Sequence, residues 1–144
     1  MNVLEKRILL IDDEPLITRT LHAYLTAAGF VYVEILNDPL QVPAKIAEFD
    51  PDILLLDISM PEVDGLKILE RLGDRVVDDD LTVIMVTSME ADYVKRKALI
   101  LGACDFISKP VDPDELVRRV NDALSGRPNH DFILNTLAPR SDEV

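Results

Sequence analysis

The chain of 144 residues is 48% hydrophobic, which is sufficient for one buried core, and its composition gives no sign of a second domain. Its 15 Lys and Arg against 27 Asp and Glu give a net charge of −12, which disfavours direct binding to nucleic acid and to anionic membranes. No stretch approaches the roughly 18 apolar residues of a membrane helix, the N-terminal residues lack a signal peptide's apolar core, and the single Cys104 cannot form an internal disulfide, so we expect a cytoplasmic location.

Apolar runs of strand length alternate with segments of helical periodicity along the chain. The runs are residues 8–11, 31–36, 53–56, 83–86 and 106–108. The helical segments are residues 15–28, a segment that begins near residue 38, and residues 65–72, 91–101 and 113–124. This alternation predicts βαβ units, and hence an α/β fold with a parallel sheet and helices on both of its faces.

Residues that begin and end helices support these segments. Pro15 suits a first helical turn, and Gly29 suits a helix end. Pro43 would remove a hydrogen bond inside a helix, so we expect the second helix to start late or to kink. Asp112, followed directly by Pro113, predicts an N-cap for the fifth helix.

Two segments lie outside the alternation. Residues 73–80 are rich in acidic side chains and predict a solvated loop. Residues 127–144 contain a brief apolar group followed by Pro139, a pattern that fits either a linker to another domain or a docking segment. We therefore divide the chain into a domain over residues 1–126 and a tail or linker over residues 127–144.

Four of the apolar runs lead to residues that handle phosphate or a divalent cation. These residues are Asp12 and Asp13, Asp57, Thr87, and Lys109. Ligands of an open parallel sheet bind beyond the carboxyl ends of its strands, so we expect these groups to share one cleft. Crowded carboxylates ionise together only around a cation, and Mg²⁺ is bound by carboxylates, waters and phosphate oxygens. The pattern therefore predicts phosphoryl transfer to an aspartate.

The order of these residues resembles a known family. Beside the groups above, the resemblance includes Met60-Pro61 and Asp64-Gly65 after Asp57, Thr87-Ser88, Gly102-Ala103 and residues 106–110. Together these motifs resemble the receiver domain of two-component response regulators over residues 5–126. The resemblance implies a flavodoxin-like fold, with a five-stranded parallel sheet in the order 2-1-3-4-5 and five helices on both faces.

The resemblance also implies a nucleophile and a metal site. Asp57 accepts a phosphoryl group from the phosphohistidine of a sensor histidine kinase or of a histidine phosphotransfer protein. Asp13, Asp57 and the backbone carbonyl of Ser59 bind Mg²⁺ or Mn²⁺ directly, and Asp12 acts through water. We therefore expect a phosphoprotein whose modification depends on a divalent cation.

Further implied roles concern the transferred group and the output. Lys109 neutralises the phosphoryl charge, and the Thr87 hydroxyl donates a hydrogen bond to it. Thr87 and Phe106 form a switch that alters the face made by the fourth helix, fifth strand and fifth helix, where an effector domain or a second copy binds. Phe106 has no hydroxyl, so burial favours its inward rotamer. We expect a cis Lys109-Pro110 bond, because a tight turn there aims the ammonium into the cleft.

Alternative functions have less support from the residues. An aspartyl-phosphate phosphatase would carry a second acid two residues after the nucleophile, where Ser59 stands. A degenerate, phosphorylation-independent binding module would have lost an acid, the threonine or the lysine. A flavin-binding protein would need a phosphate-cradling loop after the first strand, where residues 12–15 would repel phosphate. We therefore predict a signalling phosphoacceptor with self-catalysed phosphotransfer and dephosphorylation, and not an enzyme.

The class of output is left open by the sequence. Receivers of winged-helix transcription factors carry a second acid before the aromatic residue and a phenylalanine after Lys-Pro. Here those positions hold Cys104 and Val111. This departure argues against that class and indicates no other.

Overall fold

The protein is built around one five-stranded sheet. The structure, a computed structural model, describes residues 2–78, 80–127 and 129–137. The strands are β1 (Arg7–Ile11), β2 (Tyr32–Leu36), β3 (Ile53–Leu56), β4 (Thr82–Thr87) and β5 (Asp105–Ser108). All neighbouring strands are parallel, in the order β2-β1-β3-β4-β5. The predicted fold class and strand order are confirmed.

Helices connect the strands and lie on both faces of the sheet. They are α1 (Pro15–Ala27), α2 (Val42–Phe49), α3 (Gly65–Arg71), α4 (Gly73–Val77), α5 (Asp92–Ile100), α6 (Pro113–Leu124) and α7 (His130–Leu137). Two short 3₁₀ helices, Val3–Glu5 and Pro39–Gln41, complete the list for the described residues. The predicted fourth and fifth helices are α5 and α6. The predicted count of five is wrong, because α4 and α7 were not expected.

Helix α4 replaces the solvated loop that the acidic composition of residues 73–80 suggested. Its Val76 is buried and packs against the turn that follows α5. Gly102 in that turn has a φ of 107°, and a Cβ there would lie 2.5 Å from the Val76 Cγ1. Burial of Val76 in the core and the ion pairs of Arg75 with Asp50 and Asp80 therefore accompany a helix in a segment whose composition looks like a loop.

Helix α7 forms in the segment that was predicted to be a linker or a docking segment. It contacts α5 and β5, and its Phe132 is buried with only 9% of its surface exposed. The described part of the tail therefore packs on the domain. The division of the chain at residue 126 stays a prediction.

The predicted helix boundaries are confirmed at two positions. The second helix starts late, because residues Pro39–Gln41 first form a 3₁₀ turn and Pro43 then occupies the first turn of α2. Asp112 caps α6, since its Oδ2 accepts a hydrogen bond from the Glu115 amide at 2.9 Å.

The core lies on both sides of the sheet, which explains why the strands read as continuous apolar runs. In β1, Leu9 and Ile11 belong to the cluster with α2, α3 and α5. Ile8 and Leu10 point to the opposite side and belong to the cluster with α1 and α6. Within the described residues, none of the helices combines the length and the apolar character needed to cross a bilayer.

Candidate functional site

The strand register brings two of the predicted aspartates together. Ile11 of β1 is paired with Leu56 of β3, so the residues that follow, Asp12 and Asp57, lie side by side. The Asp57 amide donates a hydrogen bond to the Ile11 carbonyl at 3.0 Å, which extends the pairing by one residue. Both carboxylates are therefore positioned by the backbone of the two central strands.

Strands β4 and β5 place Thr87 and Lys109 at the same carboxyl-terminal side of the sheet. Thr87 is paired with Ser108, and the Lys109 amide donates a hydrogen bond to the Thr87 carbonyl at 3.0 Å. The Lys109-Pro110 peptide bond is cis, as predicted. The side chain of Lys109 points towards the aspartates and not into solvent, as its contacts show.

Three carboxylates form a cluster with the geometry of a metal site. Asp12, Asp13 and Asp57 each offer one oxygen, and these oxygens lie within 4.8 Å of one another. Asp12 and Asp57 are buried, whereas Asp13 is half-buried and open to water. Carboxylate oxygens that leave room for water are the donors that Mg²⁺ and Mn²⁺ prefer, so the residues fit the expected ion.

Lys109 links two members of this cluster. Its Nζ lies 2.6 Å from the Asp12 Oδ2 and 3.4 Å from the Asp57 Oδ2. Burial alone would lower the pKa of Lys109, but the hydrogen bond to Asp12 and the charges of both aspartates raise it above the usual 10.5. The ammonium therefore stays charged and partly neutralises the cluster.

Asp57 is the carboxylate whose ionised form is disfavoured. Its burial, and next the negative charge of Asp12, raise its pKa above the usual 3.8. The charge of Lys109 and hydrogen bonds from Thr87 and Lys109 act in the opposite direction without cancelling the increase. A further positive charge beside Asp57 would favour the carboxylate, which is what a bound divalent cation supplies.

Thr87 is fully buried at the end of β4. Its Oγ1 accepts a hydrogen bond from the Met89 amide at 3.3 Å, and its hydroxyl proton is donated to Asp57. Phe106 is also buried, at 7% exposure, with the ring of Phe132 stacked against it. Its inward rotamer stays a prediction. Their action as a switch stays a prediction.

Ser59 lies apart from the side-chain cluster. It is exposed in the loop after β3, where it forms an isolated antiparallel bridge with Asp64. The structure thus brings together Asp12, Asp13, Asp57, Thr87 and Lys109. The role of the Ser59 carbonyl as a metal ligand stays a prediction.

Gly65 has a positioning role that the sequence analysis missed. A Cβ at this position would overlap the carbonyl oxygen of Asp57 and lie 2.8 Å from the Ile58 Cα. The Gly65 amide donates to the Ile58 carbonyl at 2.8 Å, and Asp64 caps α3 by accepting from the Leu66 amide. The start of α3 therefore packs directly against the backbone of Asp57, and only glycine allows that approach. An Asp-Gly pair at a predicted helix start was the available signal.

Asn37 is a second positioning residue that the sequence analysis missed. Its Nδ2 donates to the Asp12 carbonyl at 2.8 Å and to the Thr18 Oγ1 at 2.9 Å. The carboxylate of Asp12 in turn accepts from the Glu14 amide at 3.0 Å. These contacts hold the acidic loop that joins β1 to α1, and no local pattern indicates them.

Comparison with known proteins gives one family along most of the chain. A model of the response regulator receiver domain matches residues 8–121. The transcriptional regulatory protein TrcR of Mycobacterium tuberculosis is 36% identical over 118 residues, which are 82% of this chain and 45% of that protein. A protein-glutamate methylesterase/protein-glutamine glutaminase of Rhodospirillum rubrum is 38% identical over 106 residues, 72% of this chain and 28% of that protein. The chain spans about half the length of the first curated relatives it matches.

A solved structure agrees with this likeness. The CheY-like response regulator receiver domain protein from Methanospirillum hungatei JF-1 superimposes with a TM-score of 0.77 at 29% sequence identity. The match covers 85% of this chain and 96% of that protein. One relative is thus named for transcription and another for an enzymatic activity, so likeness along this domain accompanies different outputs.

Proposed function

The chain belongs to the response regulator receiver domain family, and from that premise we propose that Asp57 accepts a phosphoryl group from a phosphohistidine. The observation that carries this proposal is the contact of Lys109 with both Asp12 and Asp57 inside the carboxylate cluster. Asp12 is held by its short contact with Lys109 and by the Glu14 amide. Asp57 has the longer contact and keeps oxygen lone pairs for attack.

The transfer needs a nucleophile and neutralisation of charge. A carboxylate oxygen of Asp57 attacks phosphorus as the P–N bond of the phosphohistidine breaks, and the departing imidazole takes up a proton. Lys109 and the proton of Thr87 stabilise the charge on the equatorial phosphoryl oxygens. Attack of water on the acyl phosphate later releases phosphate and restores the carboxylate.

Mg²⁺ or Mn²⁺ would be held by Asp13 and Asp57 directly, by the Ser59 carbonyl, and by Asp12 through water. The ion supplies positive charge at the oxygens of the transferred group. Asp13 contributes the ligand that is most open to solvent. The hydrated side of the site is then the side from which a metal ion enters.

The proposed partners follow from the two surfaces involved. A sensor histidine kinase or a histidine phosphotransfer protein presents the phosphohistidine at the strand ends. The signalling face, made of α5, β5 and α6, carries the output to an effector domain or a second copy, with Thr87 and Phe106 as the relay. A cytoplasmic location, and no direct contact of these residues with nucleic acid, belong to the same proposal.

Phosphoryl labelling tests the acceptor. The wild-type chain and Asp57→Asn are incubated with acetyl phosphate and Mg²⁺, and intact masses are measured. We expect the mass of one phosphoryl group to be added to the wild type only. Asp114→Asn, which changes an exposed carboxylate on α6, is the matched control and labels normally. Equal labelling of Asp57→Asn would move the acceptor to another residue.

Metal binding is tested separately by titration with Mg²⁺, followed by NMR shifts or calorimetry. We expect weak binding in the wild type, because few carboxylates and several waters coordinate the ion. Asp13→Ala should abolish it, whereas Asp114→Ala should leave it intact. Unchanged affinity in Asp13→Ala would place the ion elsewhere.

A further inference from the structure

Helix α7 lies on the signalling face. The ring of its Phe132 stacks on the ring of Phe106, with centroids 6.3 Å apart and planes inclined by 23°. Lys95 of α5 also contacts Phe106, with its Nζ 5.4 Å from the ring centroid. The aromatic residue expected to relay the signal is therefore an anchor for a helix from the tail of the same chain.

A polar anchor holds the start of this helix. Asn129 Nδ2 donates to the Asp105 Oδ1 at 2.8 Å, and the Asn129 Oδ1 accepts from the Phe132 amide at 3.1 Å. The same Asp105 oxygen accepts from the Arg119 Nη1 at 2.7 Å. One buried carboxylate thus ties α7 to β5 and to α6, so the contact is specific in position as well as apolar.

The far end of α7 is tied to α5. Arg96 Nε donates to the Thr136 carbonyl at 3.2 Å. Between the anchors, a cavity of about 540 Å³ remains, with a lining that includes Arg118, Asp122 and His130. The helix therefore rests on the face through separate contacts around a polar space. Such an arrangement is easier to displace than a closely packed helix, because fewer apolar contacts are lost.

We propose that α7 is an intramolecular occupant of the signalling face, so that an effector or a second copy binds there only after displacing it. This inference rests on the proposed function, because it takes this face as the output surface. The occupant is the segment from Asn129 to Leu137. Any shift of Phe106 also changes the docking of α7, and by reciprocity the docking of α7 changes the position of Phe106.

Hydrogen exchange in the full-length chain tests the docking. Phe132→Ala removes the aromatic anchor, and Leu134→Ala, at a position on the same helix that is 66% exposed, is the matched control. We expect the amides of α7 to exchange about tenfold faster or more in Phe132→Ala, with little change in Leu134→Ala. Equal exchange in both variants would overturn the proposal.

A labelled peptide with the sequence of residues 127–144 tests the occupancy. We expect the peptide to bind full-length Phe132→Ala saturably. Its affinity for the wild type should be lower by about tenfold or more, because α7 already occupies the signalling face there. A peptide carrying Phe132→Ala should bind neither chain. Equal binding of the native peptide to both chains, or no binding to Phe132→Ala, would overturn the proposal.

Labelling with acetyl phosphate separates this inference from the proposed function. The exchange and peptide measurements need no phosphate, so they report on α7 even in a chain that does not label. If the wild type is labelled but the α7 amides exchange at the same rate in Phe132→Ala and Leu134→Ala, the proposed phosphoacceptor role is supported and the proposed docking of α7 is overturned. If the wild type is not labelled but the α7 amides exchange faster in Phe132→Ala than in Leu134→Ala, the phosphoacceptor role is overturned and the docking of α7 is supported.

Discussion

Two buried aspartates, Asp57 and Asp105, have the same exposure and opposite environments. Asp57 is 4% exposed at the carboxyl end of β3, and Asp105 is 3% exposed at the amino end of β5. Asp105 accepts three hydrogen bonds on one oxygen, at 2.7, 2.7 and 2.8 Å. Asp57 has a Lys109 contact at 3.4 Å and a hydrogen bond from Thr87, but it also has a second carboxylate beside it and a raised pKa.

The difference shows that two equally buried carboxylates can have very different hydrogen bonding. A carboxylate with all its partners at short distance is a structural element, because moving or modifying it breaks several hydrogen bonds. A carboxylate with a long contact keeps lone pairs for a cation and for phosphorus. Burial alone therefore does not distinguish the two carboxylates, whereas the number and length of their hydrogen bonds and the charges beside them do.

The largest expected effect concerns Lys109, the cation on the reactive side of this comparison. Lys109→Gln removes a positive charge from the transferred group and should slow labelling by acetyl phosphate by about 100-fold or more. Rates are followed by intact mass over time. Lys67→Gln changes an exposed lysine on α3 and should keep the wild-type rate. A wild-type rate in Lys109→Gln would limit Lys109 to its structural contact with Asp12.

The second expected effect tests whether the two regions communicate. Beryllofluoride, a phosphoryl mimic, should shift NMR signals of residues 95–101 in the wild type. Thr87→Ala should bind the mimic at Asp57 yet lose most of these distant shifts, because the hydroxyl is the contact that differs between the two states. Thr82→Ala, at the other end of β4, is the control. Distant shifts that persist in Thr87→Ala at full occupancy would assign the relay to another residue.

Much of this fold and site was predictable because both depend on rules that act locally along the chain. Strands buried on both faces appear as continuous apolar runs, so β1 and β3 were visible directly. Because the strands are parallel, the residues that follow each apolar run lie together at the carboxyl ends of the strands. Asp12, Asp57 and Lys109 were therefore expected in one cleft before any distance was known.

The parts that were missed depend on contacts between residues that are far apart in the sequence. No residue near Val76 in the sequence indicates that its side chain packs against Gly102, and the acidic residues around Val76 favour a loop. The contact of Asn37 with the Asp12 carbonyl spans 25 positions in sequence. The docking of Phe132 onto Phe106 likewise depends on tertiary packing, which overrides the weak local preference of a short segment.

The third prediction compares stabilities after removal of each buried charge. Asp105→Asn weakens the hydrogen bonds from Arg119 and Asn129 and should lower the free energy of unfolding by about 1–3 kcal/mol. Asp57→Asn removes a charge that repels Asp12 and should leave stability unchanged or increase it. Urea denaturation in the presence of a chelator measures both. A larger loss in Asp57→Asn than in Asp105→Asn would reverse the comparison.

The dependence of stability on pH gives the sign of the Asp57 effect. Its pKa is higher in the folded protein than the ordinary 3.8, so the folded state binds the proton more tightly. The contribution of Asp57 to the free energy of unfolding is therefore lost as the pH rises from 3.8 through the pKa that Asp57 has in the folded protein. Asp57→Asn should lack this decline, and the gap between variant and wild type should widen over that pH range. A gap independent of pH would contradict the raised pKa.

The smallest expected effect is on Cys104, the neighbour of the satisfied carboxylate. Burial, and secondly the charge of Asp105, raise the pKa of this thiol from 9.0 to about 12. Alkylation by iodoacetamide should therefore be slow in the folded chain at pH 8. Since burial is the larger cause, Asp105→Asn should lower the thiol pKa by less than about one unit, or up to about tenfold in thiolate fraction. The pH profile of alkylation separates this shift from general loosening, which would raise the rate without moving the midpoint. An unmoved midpoint would show that the charge of Asp105 does not contribute to the raised pKa of the thiol, which would leave burial as its cause.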